Sequence, residues 1–160
     1  MDIKKLMQLC EADVGYKEGT NNDTKFGVWY GLNHQPWCAM SASNKYYAAG
    51  MINAVAPKNK PKGFASCAEW LKYLTNNHQL VPVGQARAGD IIFYDWQGDG
   101  IADHVGTCKG NNTTLKYLNV YEGNTSSGSV GSQSNGDGYY LRKRSYATIM
   151  AVARPKEPTV

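Results

Sequence analysis

Four residues of this chain have the chemistry of a thiol nucleophile and of the groups that would activate it: Cys38, His104, Glu122 and Asn124. A cysteine nucleophile needs a base that takes its proton and returns it to the leaving amine, and a polar group that orients the base. Cys38 lies at the predicted start of a helix, where unpaired N–H groups and the helix dipole stabilise a thiolate. His104 begins one predicted strand. Glu122 and Asn124, two residues apart, end another, so both are expected on one face of the sheet.

The elements expected to position these residues are helices in the first half of the chain and short strands in the second. Helices are predicted over residues 3–10 behind the cap Asp2, from near Pro36 to Gly50, and after a capping box of Ser66 and Glu69. Strands are predicted over 91–94, 104–108, 115–121, 139–144 and 148–153, with a hairpin turn at 110–112 and a long loop over 123–138. This order predicts an α+β fold in which the N-terminal helices pack on an antiparallel β-sheet.

The order Cys, His and then Glu or Asn is that of a papain-like enzyme, and further motifs accompany it. They are Thr24-Lys25-Phe26-Gly27 with Trp29-Tyr30-Gly31, Pro36-Trp37-Cys38-Ala39-Met40, Gly89-Asp90-Ile91, Gly98-Asp99-Gly100-Ile101-Ala102-Asp103-His104-Val105-Gly106, Glu122-Gly123-Asn124, and Arg144-Ser145-Tyr146-Ala147-Thr148-Ile149 leading to Ala153-Arg154-Pro155. In these motifs the chain resembles the CHAP domains, cysteine- and histidine-dependent amidohydrolases/peptidases common in bacteriophage endolysins. It departs from them after Met40, where the family has an aromatic-rich segment and this chain has Ser-Ala-Ser-Asn.

The resemblance implies a papain-like or NlpC/P60-like fold over residues 1–154 and a role for each matched residue. Cys38 would be the nucleophile, His104 the general base and acid, Glu122 the residue that orients it, and Asn124 an auxiliary polar group. The implied function is a peptidoglycan hydrolase, either an N-acetylmuramoyl-L-alanine amidase or an endopeptidase of the stem peptide or cross-bridge. A cysteine mechanism needs no cofactor.

Substrate contacts are expected around the nucleophile. The Cys38 backbone N–H is the natural first donor of an oxyanion hole, and Gln35 or Tyr30 could supply a second. Trp37 and Trp96 are candidates for lining the substrate groove, and ordinary aromatic packing is the alternative for both.

The segment before His104 has the oxygen-rich pattern of a calcium loop. Counted from Asp95, oxygen-bearing side chains stand at positions 1, 3, 5 and 9, with Gly100 at position 6. The candidate ligands are Asp95, Gln97, Asp99, Ile101 through its backbone and Asp103. Position 12 is Gly106 instead of the expected glutamate, so a tight acidic turn between strands is the alternative.

Length and composition narrow the function classes. A chain of 160 residues is sized for one domain, and we expect a monomer. The net charge of +4 favours anionic partners such as wall polymers and is too small to indicate nucleic acid. No apolar run approaches the roughly 20 residues of a membrane span. The four cysteines fit no zinc motif, and we expect free thiols, with Cys67 and Cys108 buried.

The two ends of the chain carry predictions about location. The segment from Met1 to Tyr16 contains acidic residues and lacks the uncharged core of a signal peptide. We therefore expect synthesis in the host cytoplasm and action on the wall after release. Residues 155–160 resemble the start of a linker to a wall-binding domain.

Three other functions are compatible with the same residues. One is a non-catalytic wall-binding module that keeps a hydrolase-like groove, although its expected signature is the loss of Cys38, His104 or Glu122. Another is a secreted antibacterial effector with the same chemistry. Within the enzyme class, a hydrolase of the NlpC/P60 type is the third.

Overall fold

The helices of this protein begin mostly at side chains that accept a hydrogen bond from the first turn. The computed structural model describes residues 1–127, 132 and 135–158. Within them the helices are α1 (Ile3–Ala12), α2 (Lys25–Tyr30), α3 (Cys38–Ala48) and α4 (Cys67–Asn76), with short 3-10 turns at Ile52–Ala54, Val83–Gln85 and Tyr146–Thr148. Asp2, Thr24 and Ser66 each accept from the backbone N–H three residues ahead, at the starts of α1, α2 and α4. Trp37, which precedes α3, makes no such bond.

The strands form one antiparallel sheet. They are β1 (Leu80–Val81), β2 (Ile91–Tyr94), β3 (His104–Asn112), β4 (Tyr117–Thr125), β5 (Gly138–Ser145) and β6 (Ala151–Ala153). Among the described residues, the spatial order is β1-β6-β2-β3-β4-β5. Tyr94 at the end of β2 pairs with His104 at the start of β3, so the 95–103 loop leads directly to this histidine.

Helix α3 packs on the neighbouring strands β3 and β4. The larger core lies on this side of the sheet and includes the buried rings of Phe26, Trp37, Tyr46, Trp70 and Phe93. A smaller apolar cluster covers the other face, because alternate residues of each strand point there. The fold is therefore α+β, with helices packed on an antiparallel sheet, as predicted.

Several element boundaries differ from the predicted ones. The helix predicted from near Pro36 begins at Cys38, and Trp37 is its capping position. Residues 110–112 lie within β3, and the hairpin turn occupies residues 113–116, where Lys116 adopts a positive φ of 57°. Helix α2 and strand β1 were not predicted, although Thr24 before α2 and the left-handed Gly31 after it are ordinary helix-end signals.

Both segments predicted to be irregular contain residues that belong to a strand or make backbone hydrogen bonds to the rest of the protein. Residues 123–125 of the predicted loop belong to β4, and residues 128–131, 133 and 134 lie outside the described residues. Of the predicted linker, Pro155 is buried and the Lys156 backbone N–H donates to the Ala54 carbonyl at 3.0 Å, so the chain is docked there. Residues 159 and 160 are not described. No helix in the described part of the chain is long and apolar enough to cross a membrane.

Candidate active site

Cys38 is the first residue of α3 and is almost fully buried, with 4% of its surface exposed. The first N–H groups of a helix have no partners within the helix, so they surround the thiol with positive partial charge. Ser41, one turn on, donates its hydroxyl to the Cys38 carbonyl at 2.9 Å. Strand β4 passes close to this turn at Gly123, where a Cβ would overlap the Ser41 hydroxyl and the Trp37 ring. The small residues after Met40 therefore allow the helix and the strand to approach closely.

His104 and Glu122 form a buried pair on neighbouring strands. His104 Nε2 lies 2.9 Å from Glu122 Oε1, and neither side chain has exposed surface. The other ring nitrogen, Nδ1, is buried and has no hydrogen-bond partner of ordinary geometry within the described residues. Because Glu122 occupies Nε2, Nδ1 is the atom left to exchange a proton with Cys38.

Glu122 is held by two further side chains. Arg144 on β5 donates from Nε to Glu122 Oε2 at 2.9 Å and from a terminal nitrogen to Oε1 at 2.5 Å. The Tyr94 hydroxyl donates to Oε2 at 2.8 Å. The two hydrogen bonds from Arg144 fix the plane of the Glu122 carboxylate and stabilise its negative charge. Arg144 and Tyr94 are thus residues of the site that the sequence did not single out, although Arg144 opens one of the quoted motifs.

The electrostatics of these groups favour an ion pair between the thiol and the imidazole. The hydrogen bond from Cys67 and the interaction with His104 lower the pKa of Cys38 well below its usual range, although burial opposes this. Burial also opposes the imidazolium, yet interactions with Cys38 and Glu122 raise the pKa of His104 to about 9. Against the same burial, Arg144 and His104 lower the pKa of Glu122 to about 2. These shifts favour a series of alternating charge, with a thiolate on Cys38, an imidazolium on His104, a carboxylate on Glu122 and a guanidinium on Arg144.

Cys67 is a further member of the site that sequence reasoning treated only as a buried thiol. It is the first residue of α4, is 7% exposed, and has its sulfur 3.6 Å from that of Cys38. Its hydrogen bond to Cys38 and its burial raise the pKa of the Cys67 thiol well above the usual range. The opposite directions of the two pKa shifts favour Cys67 as the donor and Cys38 as the acceptor of this hydrogen bond.

Asn124 lies on the same strand as Glu122 but beyond an irregularity. The register of β4 against β5 shifts between Glu122 and Thr125, and Asn124 has a positive φ of 55°. The alternation of strand side chains does not continue across such a bulge, so the expected sharing of one face does not follow. Asn124 is fully buried and its Nδ2 donates to Asn135 Oδ1 at 3.4 Å.

A cavity of about 530 Å³ is lined by residues that are close in sequence to both cysteines, although the cysteines themselves do not line it. Gln35 and Pro36, which precede Cys38, form one part of its lining, and Ser66, which precedes Cys67, forms another. Gln35 is exposed there and available to a substrate. Tyr30 also lines the cavity, but its hydroxyl already donates to the Gly63 carbonyl at 3.1 Å.

The two tryptophans expected to line a groove have other positions. Trp37 is fully buried and stacks on Phe26 at 5.6 Å between ring centroids, so its predicted contact with substrate is corrected to core packing. Trp96 stacks on Tyr94 at 5.1 Å, and the Arg144 guanidinium lies 5.0 Å from its ring centroid. Trp96 therefore covers the buried charges, and it is not part of the lining of the cavity that contains Gln35 and Pro36.

The carboxylates of the 95–103 loop accept from the loop's own backbone. Asp95 accepts from the N–H groups of residues 98, 99 and 100. Asp103 accepts from those of Trp96 and Gln97, and Asp99 from that of Ile101. In the described part of the chain, no three acidic, histidine or cysteine side chains are arranged to hold a metal ion. The arrangement is that of the tight acidic turn, and calcium binding stays a prediction.

The two remaining cysteines, Cys10 and Cys108, have pKa values shifted in the direction opposite to that of Cys38. Burial raises the pKa of Cys10 to about 11 and that of Cys108 to about 12. All four thiols are free, and Cys67 and Cys108 are buried, as predicted. Cys10 and Cys108 thus serve as unreactive references for the pair at the helix ends.

Comparison with known proteins assigns no relative to this chain: no protein-family model matches it, and no curated protein matches it.

Proposed function

We propose that this protein is a cysteine amidase or peptidase that cleaves an amide bond of bacterial peptidoglycan, with a papain-like or NlpC/P60-like fold related to the CHAP domains. The observation that carries the proposal is the buried series Cys38, His104, Glu122 and Arg144, whose charges favour a thiolate at a helix N-terminus. The wall as substrate rests on the resemblance of the sequence motifs, and the net charge of +4 is compatible with an anionic polymer.

The chemistry follows from the proton positions. The Cys38 thiolate attacks the carbonyl carbon, and the oxyanion that forms accepts from the N–H groups at the start of α3. As the C–N bond breaks, His104 gives its Nδ1 proton to the leaving amine, and a thioester remains on Cys38. A water molecule then attacks the thioester while His104 takes its proton, which releases the acid and restores the ion pair. Throughout, Glu122 holds Nε2–H and fixes the ring.

Digestion of purified Gram-positive cell walls tests this proposal. The unmodified chain should clear the walls and Cys38→Ala should not, whereas Cys108→Ala, which removes a buried thiol elsewhere, should retain activity. Mass spectrometry of the fragments assigns the bond: a free amino group on L-alanine indicates an amidase, and a new terminus in the stem or bridge indicates an endopeptidase.

Two outcomes would contradict the proposal. Equal clearing by the unmodified chain and by Cys38→Ala would show that Cys38 is not the nucleophile. Binding to walls without clearing by either protein would favour the wall-binding module.

A further inference from the structure

Two helices begin at cysteines whose sulfur atoms lie next to each other. Cys38 and Cys67 are the first residues of α3 and α4, and their sulfurs are 3.6 Å apart. A disulfide bond requires about 2.05 Å, so closure needs an approach of about 1.5 Å. Both side chains stand at helix ends rather than within the helices, so small rotations there leave the rest of each helix in place.

The structure describes all four cysteines, and Cys10 and Cys108 differ from Cys38 in their location and in the direction of their pKa shifts. Cys10 and Cys108 lie elsewhere in the core, and their thiols are strongly protonated because burial raises their pKa values. The hydrogen bond from Cys67 and the interaction with His104 lower the pKa of Cys38, which favours the thiolate, the form that reacts with oxidants. A cavity lined by Pro36, two residues before Cys38, and by Ser66, directly before Cys67, opens near the starts of both helices. Cys38 and Cys67 keep 4% and 7% of their surface exposed, which is the access that a small oxidant needs.

We propose that Cys38 and Cys67 form a reversible disulfide that turns the enzyme off under oxidising conditions. The disulfide itself is inferred from the sulfur geometry, and the loss of activity rests on the proposed function of Cys38. A nucleophile locked in a disulfide has no thiolate with which to attack a carbonyl.

The oxidant we name is a peroxide, and the reaction balances in two steps. The Cys38 thiolate attacks one peroxide oxygen, which gives Cys38 sulfenic acid and, after protonation of the leaving hydroxide, one water. The Cys67 thiol then attacks the sulfenic sulfur, forms the S–S bond and releases a second water. Each sulfur gives up one electron in total, and the peroxide takes up both. A dithiol reverses the reaction by thiol–disulfide exchange.

Cys67 would also protect the nucleophile. A sulfenic acid without a neighbouring thiol is oxidised further to sulfinic acid, which a dithiol does not reduce. With Cys67 in contact, the disulfide forms first and Cys38 remains recoverable.

The test uses the full chain in the presence of a chelator, so that bound metal does not block the thiols. After treatment with hydrogen peroxide and alkylation, non-reducing peptide mapping should find residues 38 and 67 linked, with Cys10 and Cys108 still free. Dithiothreitol should restore four free thiols together with wall clearing. Because the cross-link joins positions 29 apart, the oxidised chain should also melt at a higher temperature.

Two variants sharpen the result. In Cys67→Ser, Cys38 should be trapped by dimedone as sulfenic acid, and longer exposure should give sulfinic acid and a loss of activity that dithiothreitol does not reverse. Cys108→Ser, the matched control, should form the same disulfide as the unmodified chain. If Cys67→Ser does not fold by circular dichroism, the peptide map of the unmodified chain decides by itself.

The outcomes separate this inference from the proposed function. Over-oxidised Cys38 beside a free Cys67 thiol, or a disulfide to Cys10 or Cys108, would overturn the inference even if the reduced chain clears walls. A 38–67 disulfide in a chain that clears no walls when reduced would support the redox pair and overturn the proposed function.

Discussion

Carboxylates in two adjacent regions of this protein are used in opposite ways. Glu122 on β4 is fully buried, and its oxygens accept from three side chains, Tyr94, His104 and Arg144. Asp95 and Asp103, in the loop before His104, accept from backbone N–H groups of their own segment. The role of a carboxylate therefore depends on its partners. Glu122 interacts with charged and polar side chains of other strands and belongs to a series of alternating charges. The loop aspartates bind backbone N–H groups and stabilise the turn.

The largest effect is expected from Glu122→Gln. An amide does not hold an imidazolium as a carboxylate does, so wall clearing should fall by about ten-thousandfold, as for the same carboxylate-to-amide change in a Ser-His-Asp triad. Arg144 would be left as a buried charge without its anion, which costs about 3–5 kcal/mol of unfolding free energy. Chemical denaturation and a clearing assay measure the two effects.

The double variant Glu122→Gln/Arg144→Met is the control for this prediction. Removal of both charges should recover much of the unfolding free energy but none of the activity. A double variant as unstable as the single one would show that the stability depends on packing rather than on the charge pair.

The pH dependence follows from the same groups. Activity should decline as the pH rises through about 9, where His104 loses the proton that it gives to the leaving amine. The pKa of His104 is higher folded than unfolded, so its stabilising contribution is complete below the ordinary histidine value of about 6.5 and is lost as the pH rises through about 9. Glu122 has the opposite sign: its contribution is present above its ordinary value and is lost as the pH falls toward about 2.

A pH profile of wall clearing, with denaturation curves at matched pH, measures both effects. In Glu122→Gln the alkaline decline should move to lower pH, and in Asp95→Asn it should stay in place. An unchanged alkaline decline in Glu122→Gln would contradict the assignment of that step to His104.

A smaller effect is expected from Arg144→Lys. Lysine keeps the charge but loses the two parallel hydrogen bonds that orient the Glu122 carboxylate. Wall clearing should fall by about tenfold, because a bond to an ionised group contributes about 1.5 kcal/mol. Lys143→Arg, a change at a neighbouring exposed residue, is the matched control. Full activity in Arg144→Lys would show that charge alone is sufficient.

A substitution in the 95–103 loop should reduce activity less than a substitution of Glu122 or Arg144. In Asp95→Asn one oxygen acceptor of the turn becomes an amide nitrogen, so the melting temperature should fall by a few degrees while wall clearing stays within about threefold. Differential scanning calorimetry and the clearing assay measure these effects. A loss of activity as large as that in Glu122→Gln would contradict the expectation that Asp95 supports the turn rather than the reaction.

Calcium should have the smallest effect of all. If the loop is only the tight acidic turn, in which backbone N–H groups already bind the carboxylates, millimolar calcium should leave the melting temperature and the activity unchanged. A rise in melting temperature that a chelator reverses, and that Asp99→Asn abolishes, would establish the cation site expected from the pattern of oxygen residues.

The sequence predicted the elements of the site better than its contacts. The cysteine at a helix start, the histidine at a strand start and the glutamate near a strand end all lie where the patterns placed them. The prediction that Asn124 and Glu122 lie on one face of the sheet assumed a regular strand, and the bulge removes that regularity. The prediction for Trp37 assumed that an aromatic side chain beside a nucleophile faces the substrate, whereas it packs under the helix.

What the sequence determined by itself is local. The caps at Asp2, Thr24 and Ser66 act over three residues, and strand alternation acts over two, so neighbouring residue types are sufficient to specify them. The contact of Cys38 with Cys67 and that of Glu122 with Arg144 join residues 29 and 22 positions apart. Only the tertiary structure decided these contacts, because they depend on how α4 meets α3 and on the register of β5 against β4, which no short stretch of sequence specifies.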